Sequence, residues 1–193
     1  MTQKKIAVIG LGYVGLPLAR LFATKYPVVG FDINNSRISE LKQGNDKTLE
    51  VENKDLKAVL KESNSEETGL FCTANTEDLT DCNFYVITVP TPVDKNNKPD
   101  LTPLYKSSET VGTVLKDGDV VGLGTGRAAT AFVRALGMRA QAGLRIRGIP
   151  TSRVTTDLAQ ELGIPLTTFE QVDTIDVAVD GADEVDPQLN LIK

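Results

Sequence analysis

Two hydrophobic periods alternate along this chain. Ile6-Ala7-Val8-Ile9 is a continuous apolar run, and the stretch after it repeats with helical spacing, placing Leu16, Leu18, Ala19, Leu21 and Phe22 on one broad face. Short apolar runs return at 28–32, 70–74, 84–89, 120–123, 144–149, 165–169 and 175–179, and each predicts a strand. Between them the spacing predicts helices over 13–25, from 34–36 to a closing Gly44, over 102–115, over 128–136 and over 152–162. A surface helix is expected around Leu56, Val59 and Leu60. Thr102 reads as an N-cap with Pro103 at the first helical position, Ser152 as another N-cap, and Gly163 as a stop. The run Phe84-Tyr85-Val86-Ile87-Thr88-Val89 is apolar nearly throughout, as a parallel strand covered on both faces should be. Strands alternating with helices make this an α/β chain.

The first strand enters its helix through Gly10-Leu11-Gly12-Tyr13-Val14-Gly15, a G-x-G-x-x-G turn. Gly10 permits the tight turn, Gly12 admits a pyrophosphate against the backbone, and Gly15 lets the helix lie close to its strand. The helix N-terminus adds unpaired N–H groups and a partial positive charge. The second strand ends in Asp32, about 20 positions on, where the ribose 2′-OH of a dinucleotide sits. A carboxylate there repels a 2′-phosphate, so the expected cofactor is NAD rather than NADP. The expected fold is a Rossmann-like, doubly wound, mostly parallel sheet with helices on both faces.

Residues 1–116 resemble the NAD-binding domain of the UDP-glucose/GDP-mannose dehydrogenase family, most closely the branch acting on UDP-N-acetylhexosamines. The matching stretches are IAVIGLGYVGLPLA, VVGFDINNSRISEL, TLEV, ITVPTPVDKNNKPDLTPL and SSETVGTVLKDGD. The resemblance implies that Val14, Asp32, Arg37 and Thr91 contact NAD beside Gly10, Gly12 and Gly15. Such enzymes oxidise a sugar alcohol to a carboxylate in two steps through a cysteine thioester. Where the family continues into a Glu-Ser-Thr segment, this chain has Gly122-Leu123-Gly124-Thr125-Gly126. The family's catalytic Cys and Lys lie beyond that point, and Cys72 and Cys82 do not match the nucleophile's motif. Cys72 reads as a small core residue, since nothing near it in sequence would lower its pKa.

The second half carries another glycine-rich turn, Gly124-Thr125-Gly126, in which a backbone anion cradle is also feasible. The last predicted strand opens into Asp180, Asp183, Glu184 and Asp186. That cluster reads as a solvated loop, as sugar-hydroxyl ligands or as acid–base groups, and it lacks a full metal-ligand pattern. Residues 117–193 resemble the N-terminal part of type A ribose-5-phosphate isomerase through GDVVGLGTG, LRIRGIPTS, LAQELGIPLTT and IDVAVDGADEVDPQLNLIK. Those enzymes interconvert an aldose and a ketose phosphate through an enediolate, without metal. The resemblance implies substrate contacts from Gly124, Thr125, Gly126, Arg127, Asp180, Gly181, Ala182, Asp183 and Lys193, with Asp180, Asp183 and Lys193 the candidates for catalysis. Arg127-Ala128 replaces the usual Ser-Thr, and a cation there can still hold a phosphate. The family's glycine-rich segment and proton-moving glutamate would follow Lys193, so isomerase turnover is expected to be nil or very weak.

The expected organisation is therefore a chimera, 1–116 a Rossmann module and 117–193 an isomerase-like module. A recombined or designed assembly is its simplest account, and three readings follow: an NAD-binding module that completes no reaction, a ribose 5-phosphate isomerase, and a fold without ligand function. The strand at Val120 cannot keep its isomerase-like neighbours at Leu144 and Ile175 and also pair with the strand at Phe84. One continuous sheet is favoured, because it buries more apolar surface and leaves fewer edges. Composition narrows the chemistry. The chain has 193 residues and no histidine, which removes imidazole ligands, His bases and Ser-His or Cys-His pairs. A net charge of −5 argues against nucleic acid and anionic membrane. No run of apolar residues reaches membrane-spanning length, and Met1-Thr2-Gln3-Lys4-Lys5 reads as no signal peptide. Two cysteines outside any CxxC suit a reducing cytoplasm. The expected partners are small molecules, NAD and a sugar phosphate, with homo-oligomers open through unpaired edges.

Overall fold

The computed structural model describes residues 4–93, 99–181, 184–185 and 191–192. It divides into two compact units, Met1–Pro92 and Val93–Lys193.

The first unit is a parallel sheet built from β1 (Ile6–Ile9), β2 (Pro27–Phe31), β3 (Gly69–Thr73) and β4 (Phe84–Ile87), in the order β3-β2-β1-β4. That is the order the dinucleotide fold predicts. β1 and β2 are buried at every position, so both faces of the sheet centre are covered. Helix α1 (Gly15–Phe22) returns the chain from β1 to β2, with Leu16, Ala19 and Phe22 buried. α2 (Asn35–Lys42) starts at Asn34, whose side chain accepts from the N–H groups of Ser36 and Arg37. This is an Asn N-cap that satisfies two otherwise orphaned donors. α3 (Asn53–Val59) buries Leu56 and is the expected surface helix.

The second unit holds α4 (Thr102–Val114), β5 (Val120–Leu123), α5 (Arg127–Gln141), β6 (Arg147–Pro150), α6 (Arg153–Glu161) and β7 (Val177–Val179). Its parallel sheet runs β6-β5-β7. A two-residue antiparallel pair, β8 (Glu184–Val185) with β9 (Leu191–Ile192), follows. α6 opens at Ser152, whose hydroxyl oxygen accepts the Thr155 N–H, and it stops before Gly163 at φ +71°. Both features match their sequence signals.

Several expectations are corrected. Among the described residues the parallel strands form two sheets, not one: β5 is flanked by β6 and β7, which leaves it no free edge for β4. Accordingly β4 is not covered on both faces; Phe84 is 39% exposed. α4 lies in the second unit and packs against α5, although its sequence resembles the dehydrogenase. Ser108 and Gly112 are buried, and a Cβ at Gly112 would meet Arg139 Cδ of α5 at 3.7 Å, an ordinary contact. The N-cap of α4 is Leu101, not Thr102, and Asp100 Oδ1 accepts the Thr102 N–H at 2.9 Å. α5 runs past Gly137, which serves close packing against Leu162 instead of ending the helix. β6 starts late because Arg145 is held in the preceding turn: its N–H and guanidinium donate to Asp117, and its carbonyl accepts the Gly118 N–H at 2.7 Å. The segment 165–169 forms one bridge, Leu166 to Gly148, and no strand.

Leu136 of α5 is fully buried, whereas Met138 is 68% exposed. Leu136→Ala is expected to cost about 2–5 kcal/mol in urea denaturation, and Met138→Ala less than about 0.5 kcal/mol.

Candidate functional site

The glycine-rich turn after β1 is built from the strand ends around it. The Gly10 N–H donates to the Phe31 carbonyl at 2.8 Å, and Gly10 has φ +95°, a conformation that favours glycine. The Thr88 hydroxyl, just beyond β4, donates to the Gly10 carbonyl at 2.7 Å. A Cβ on Gly15 would overlap the Gly10 carbonyl oxygen and crowd the Thr88 hydroxyl, so α1 lies directly on the turn. Gly12 differs: a Cβ there would meet nothing within 4 Å. Val14, the N-cap of α1, makes no side-chain cap and is 66% exposed. The turn thus presents an open glycine and an uncapped helix start on one side, the arrangement suited to an anion.

Asp32 closes the other side. Its Oδ2 accepts the Leu11 N–H at 2.9 Å and its Oδ1 accepts the Asn34 N–H at 2.9 Å. Each carboxylate oxygen has two lone pairs, so both retain capacity for a further donor. Ile33 beside it is 80% exposed. Thr91 is exposed beyond β4.

Arg37 occupies a position that its sequence spacing did not reveal. It is buried, and its Nε donates to the Leu11 carbonyl at 3.0 Å. Its other nitrogens meet Glu40 at 2.8 Å, Asp46 at 2.8 Å and the Thr48 hydroxyl at 3.3 Å. Asp46 was not among the sequence candidates. It is 4% exposed and also accepts from the Thr48, Glu50 and Val51 N–H groups. Burial by itself raises its pKa; the Thr48 hydroxyl, the Val51 N–H, Arg37 and the Thr48 N–H outweigh it and bring the carboxyl down to about 2. The Asp-x-Thr spacing of 46–48 is an Asx-type signal, but no local pattern announces its pairing with Arg37.

The second turn repeats the device. Gly124 donates its N–H to the Val179 carbonyl at 2.8 Å, and a Cβ there would overlap the Asp180 carboxylate. Asp180 Oδ1 accepts from the Thr125 N–H at 3.0 Å and from the Gly181 N–H at 2.8 Å. The Thr125 hydroxyl donates to Ser152 Oγ at 2.8 Å and lies 2.9 Å from the Thr151 hydroxyl. Gly126, at φ +107°, leads into α5 with no side-chain cap, and Arg127 is exposed at its first position. The structure therefore brings Gly124, Thr125, Gly126, Arg127, Asp180 and Gly181 to one end of the β6-β5-β7 sheet. Ala182, Asp183, Asp186 and Lys193 lie outside the described residues.

Cys72 and Cys82 are buried thiols, each pushed by burial up to about 12, so neither is a thiolate at neutral pH. Among the described residues, no helix is long and apolar enough to cross a membrane.

The sequence model of the UDP-glucose/GDP-mannose dehydrogenase family, NAD binding domain, matches residues 4–131. The chain belongs to that family. The match runs across both strands that form the glycine turn and gives NAD as the cofactor. A second model, ribose 5-phosphate isomerase A, matches residues 147–193, so two families meet in one chain. UDP-N-acetyl-D-glucosamine 6-dehydrogenase of Pseudomonas aeruginosa is 54% identical over 121 residues, 63% of this chain and 27% of that protein. Ribose-5-phosphate isomerase A of Bradyrhizobium diazoefficiens is 53% identical over 79 residues, 41% of this chain and 33% of that protein. Among solved structures, UDP-D-ManNAc dehydrogenase from Pyrococcus horikoshii superposes with a TM-score of 0.56 at 26% identity, over 95% of this chain and 37% of that one. The chain spans a third or less of the curated relatives named here.

Asp46 gives a pH dependence whose sign is fixed. Its folded-state pKa, about 2, lies below the ordinary 3.8, so its stabilisation is complete above 3.8 and is lost as pH falls through 2. Acid unfolding followed by circular dichroism is expected to show a loss of about 2 kcal/mol over this window, absent in Asp46→Asn.

Proposed function

We propose that this chain is a dinucleotide-binding module that holds NAD at the turn after β1 without completing a redox reaction. The observation that carries this is the joining of Asp32 to Leu11 inside the turn, which sets an acidic strand end beside an open, uncapped helix start. In this reading the Gly12 N–H and the first turn of α1 take the pyrophosphate, and Gly10 and Gly15 shape the turn. Asp32 takes the ribose hydroxyls, and the exposed Ile33, Val14 and Thr91 flank the nucleotide. Arg37 acts from beneath the turn. The seam between the two ancestries falls near Lys116-Asp117, with 1–116 dehydrogenase-like and 117–193 isomerase-like.

Turnover is absent on this reading for a chemical reason. Dehydrogenation through a thioester needs a nucleophilic thiolate, and the two thiols are buried and protonated. Those buried thiols and the net charge of −5 fit a reducing cytoplasm and partners that are small molecules, not nucleic acid. The half-exposed β4 suits self-association of the chain.

One observation favours a second reading, sugar-phosphate isomerisation: Asp180 is held by the Thr125 N–H beside the second glycine turn. Asp180, Asp183 and Lys193 would then carry the proton transfer, with Gly124, Thr125, Gly126, Arg127, Gly181 and Ala182 around the substrate.

Calorimetry separates these readings. The parent chain is expected to bind NAD, and Asp32→Ala to bind it at least about tenfold more weakly; a folded parent that does not bind NAD contradicts the first reading. Ribose 5-phosphate is expected to remain unconverted even at high protein concentration. Sustained formation of ribulose 5-phosphate would establish the second reading.

A further inference from the structure

The two peptide groups around Leu11 are fixed from both sides. In the first, the Leu11 N–H donates to Asp32 and the Gly10 carbonyl accepts from Thr88. In the second, the Leu11 carbonyl accepts from Arg37 Nε at 3.0 Å, and the N–H at its far end belongs to Gly12. The peptide is planar and trans, so its carbonyl and N–H point in opposite directions. Turning the Leu11 carbonyl inward onto Arg37 turns the Gly12 N–H outward. Among the described residues that N–H meets no acceptor, and Gly12 borders open space. Facing open space, that donor is available to an acceptor brought by a ligand.

Arg37 does not hold this position by itself. Glu40 and Asp46 fix two of its nitrogens, and Asp46 is in turn fixed by Thr48, Glu50 and Val51. The loop 45–52 has no element of its own, and the buried Asp46 carboxylate accepts from three of its backbone N–H groups. Leu49 within it adopts φ +59°, an uncommon conformation for a branched residue.

We propose that Asp46 is a positioning residue for cofactor binding: acting through Arg37, it fixes the Leu11–Gly12 peptide so that the Gly12 N–H faces the dinucleotide phosphate. The proposal rests on the reading that this turn holds NAD. Asp46 touches no ligand itself. It acts as the outer partner of a binding group, as residues behind a metal ligand do. Arg37 is correspondingly a support for the turn, its charge already balanced by two carboxylates.

The test uses the whole chain and its Asp46→Asn and Glu40→Gln variants, with NAD and adenosine as the probes. NAD affinity is read by calorimetry and the Gly12 and Leu11 amides by ¹⁵N–¹H spectra. In Asp46→Asn, NAD is expected to bind about tenfold more weakly, adenosine, which has no phosphate, equally well, and the Gly12 amide to shift. Glu40→Gln is expected to act in the same direction with a smaller effect, and decides the matter if Asp46→Asn fails to fold. Folded variants that bind NAD as the parent does, or whose Gly12 amide stays unmoved, overturn the proposal. Equal losses for NAD and adenosine overturn it too, because they report a general collapse of the site. A parent that fails to bind NAD instead overturns the reading of the turn, while a shifted Gly12 amide in the variants would still show that Asp46 fixes this peptide.

Discussion

The approach of Gly15 to the Gly10 carbonyl is the contact on which the cofactor end of the first unit depends. No side chain fits between them, so α1 begins directly on the turn and its first N–H groups stand beside Gly12. Thr88 and Phe31 then tie that turn to the strands on either side. The second unit solves the same problem with Gly124, which lies against Val179 and Asp180 where β5 gives way to α5. The two units thus share one device: a glycine after a strand, a carboxylate from the end of a neighbouring strand, and an uncapped helix beyond.

Around these turns the two units are constrained by strand pairing. β5 is paired on both edges, with β6 from Val120 to Leu123 and with β7 from Val121 to Leu123. The sheet of the first unit therefore ends at β4, and α4 finds its packing partner in α5. The boundary of packing, at Pro92, and the interval between the two family matches, which end at 131 and begin at 147, do not coincide. Helices are recruited by whichever apolar face is nearest, whereas strands need a specific edge.

This explains which features were legible in the sequence. The glycine turn, the place of Asp32 at the end of β2 and the Ser152 cap all follow from local patterns, and the structure has each where the pattern puts it. The single continuous sheet was misread, since apolar area favours it but says nothing of which edges are already taken. Thr102 was misread as a cap because Asp100, two residues earlier, supplies the acceptor. The helix expected over 128–136 was read too short: α5 continues through Gly137, whose missing side chain admits Leu162. Arg37 was placed near the cofactor turn, but its burial and its bond to Leu11 were not legible. They depend on Asp46, nine residues on in a loop whose fold comes from carboxylate hydrogen bonds and not from hydrophobic period.

On the proposed reading, the turn after β1 is an open NAD site in a chain that also carries an isomerase-like segment. Hydrogen–deuterium exchange with and without NAD addresses it most directly. NAD is expected to slow exchange over residues 10–16 and 32–37 and to leave the Gly124 turn unchanged. Exchange that NAD leaves unaltered in the first unit, or protection confined to the second, would contradict it.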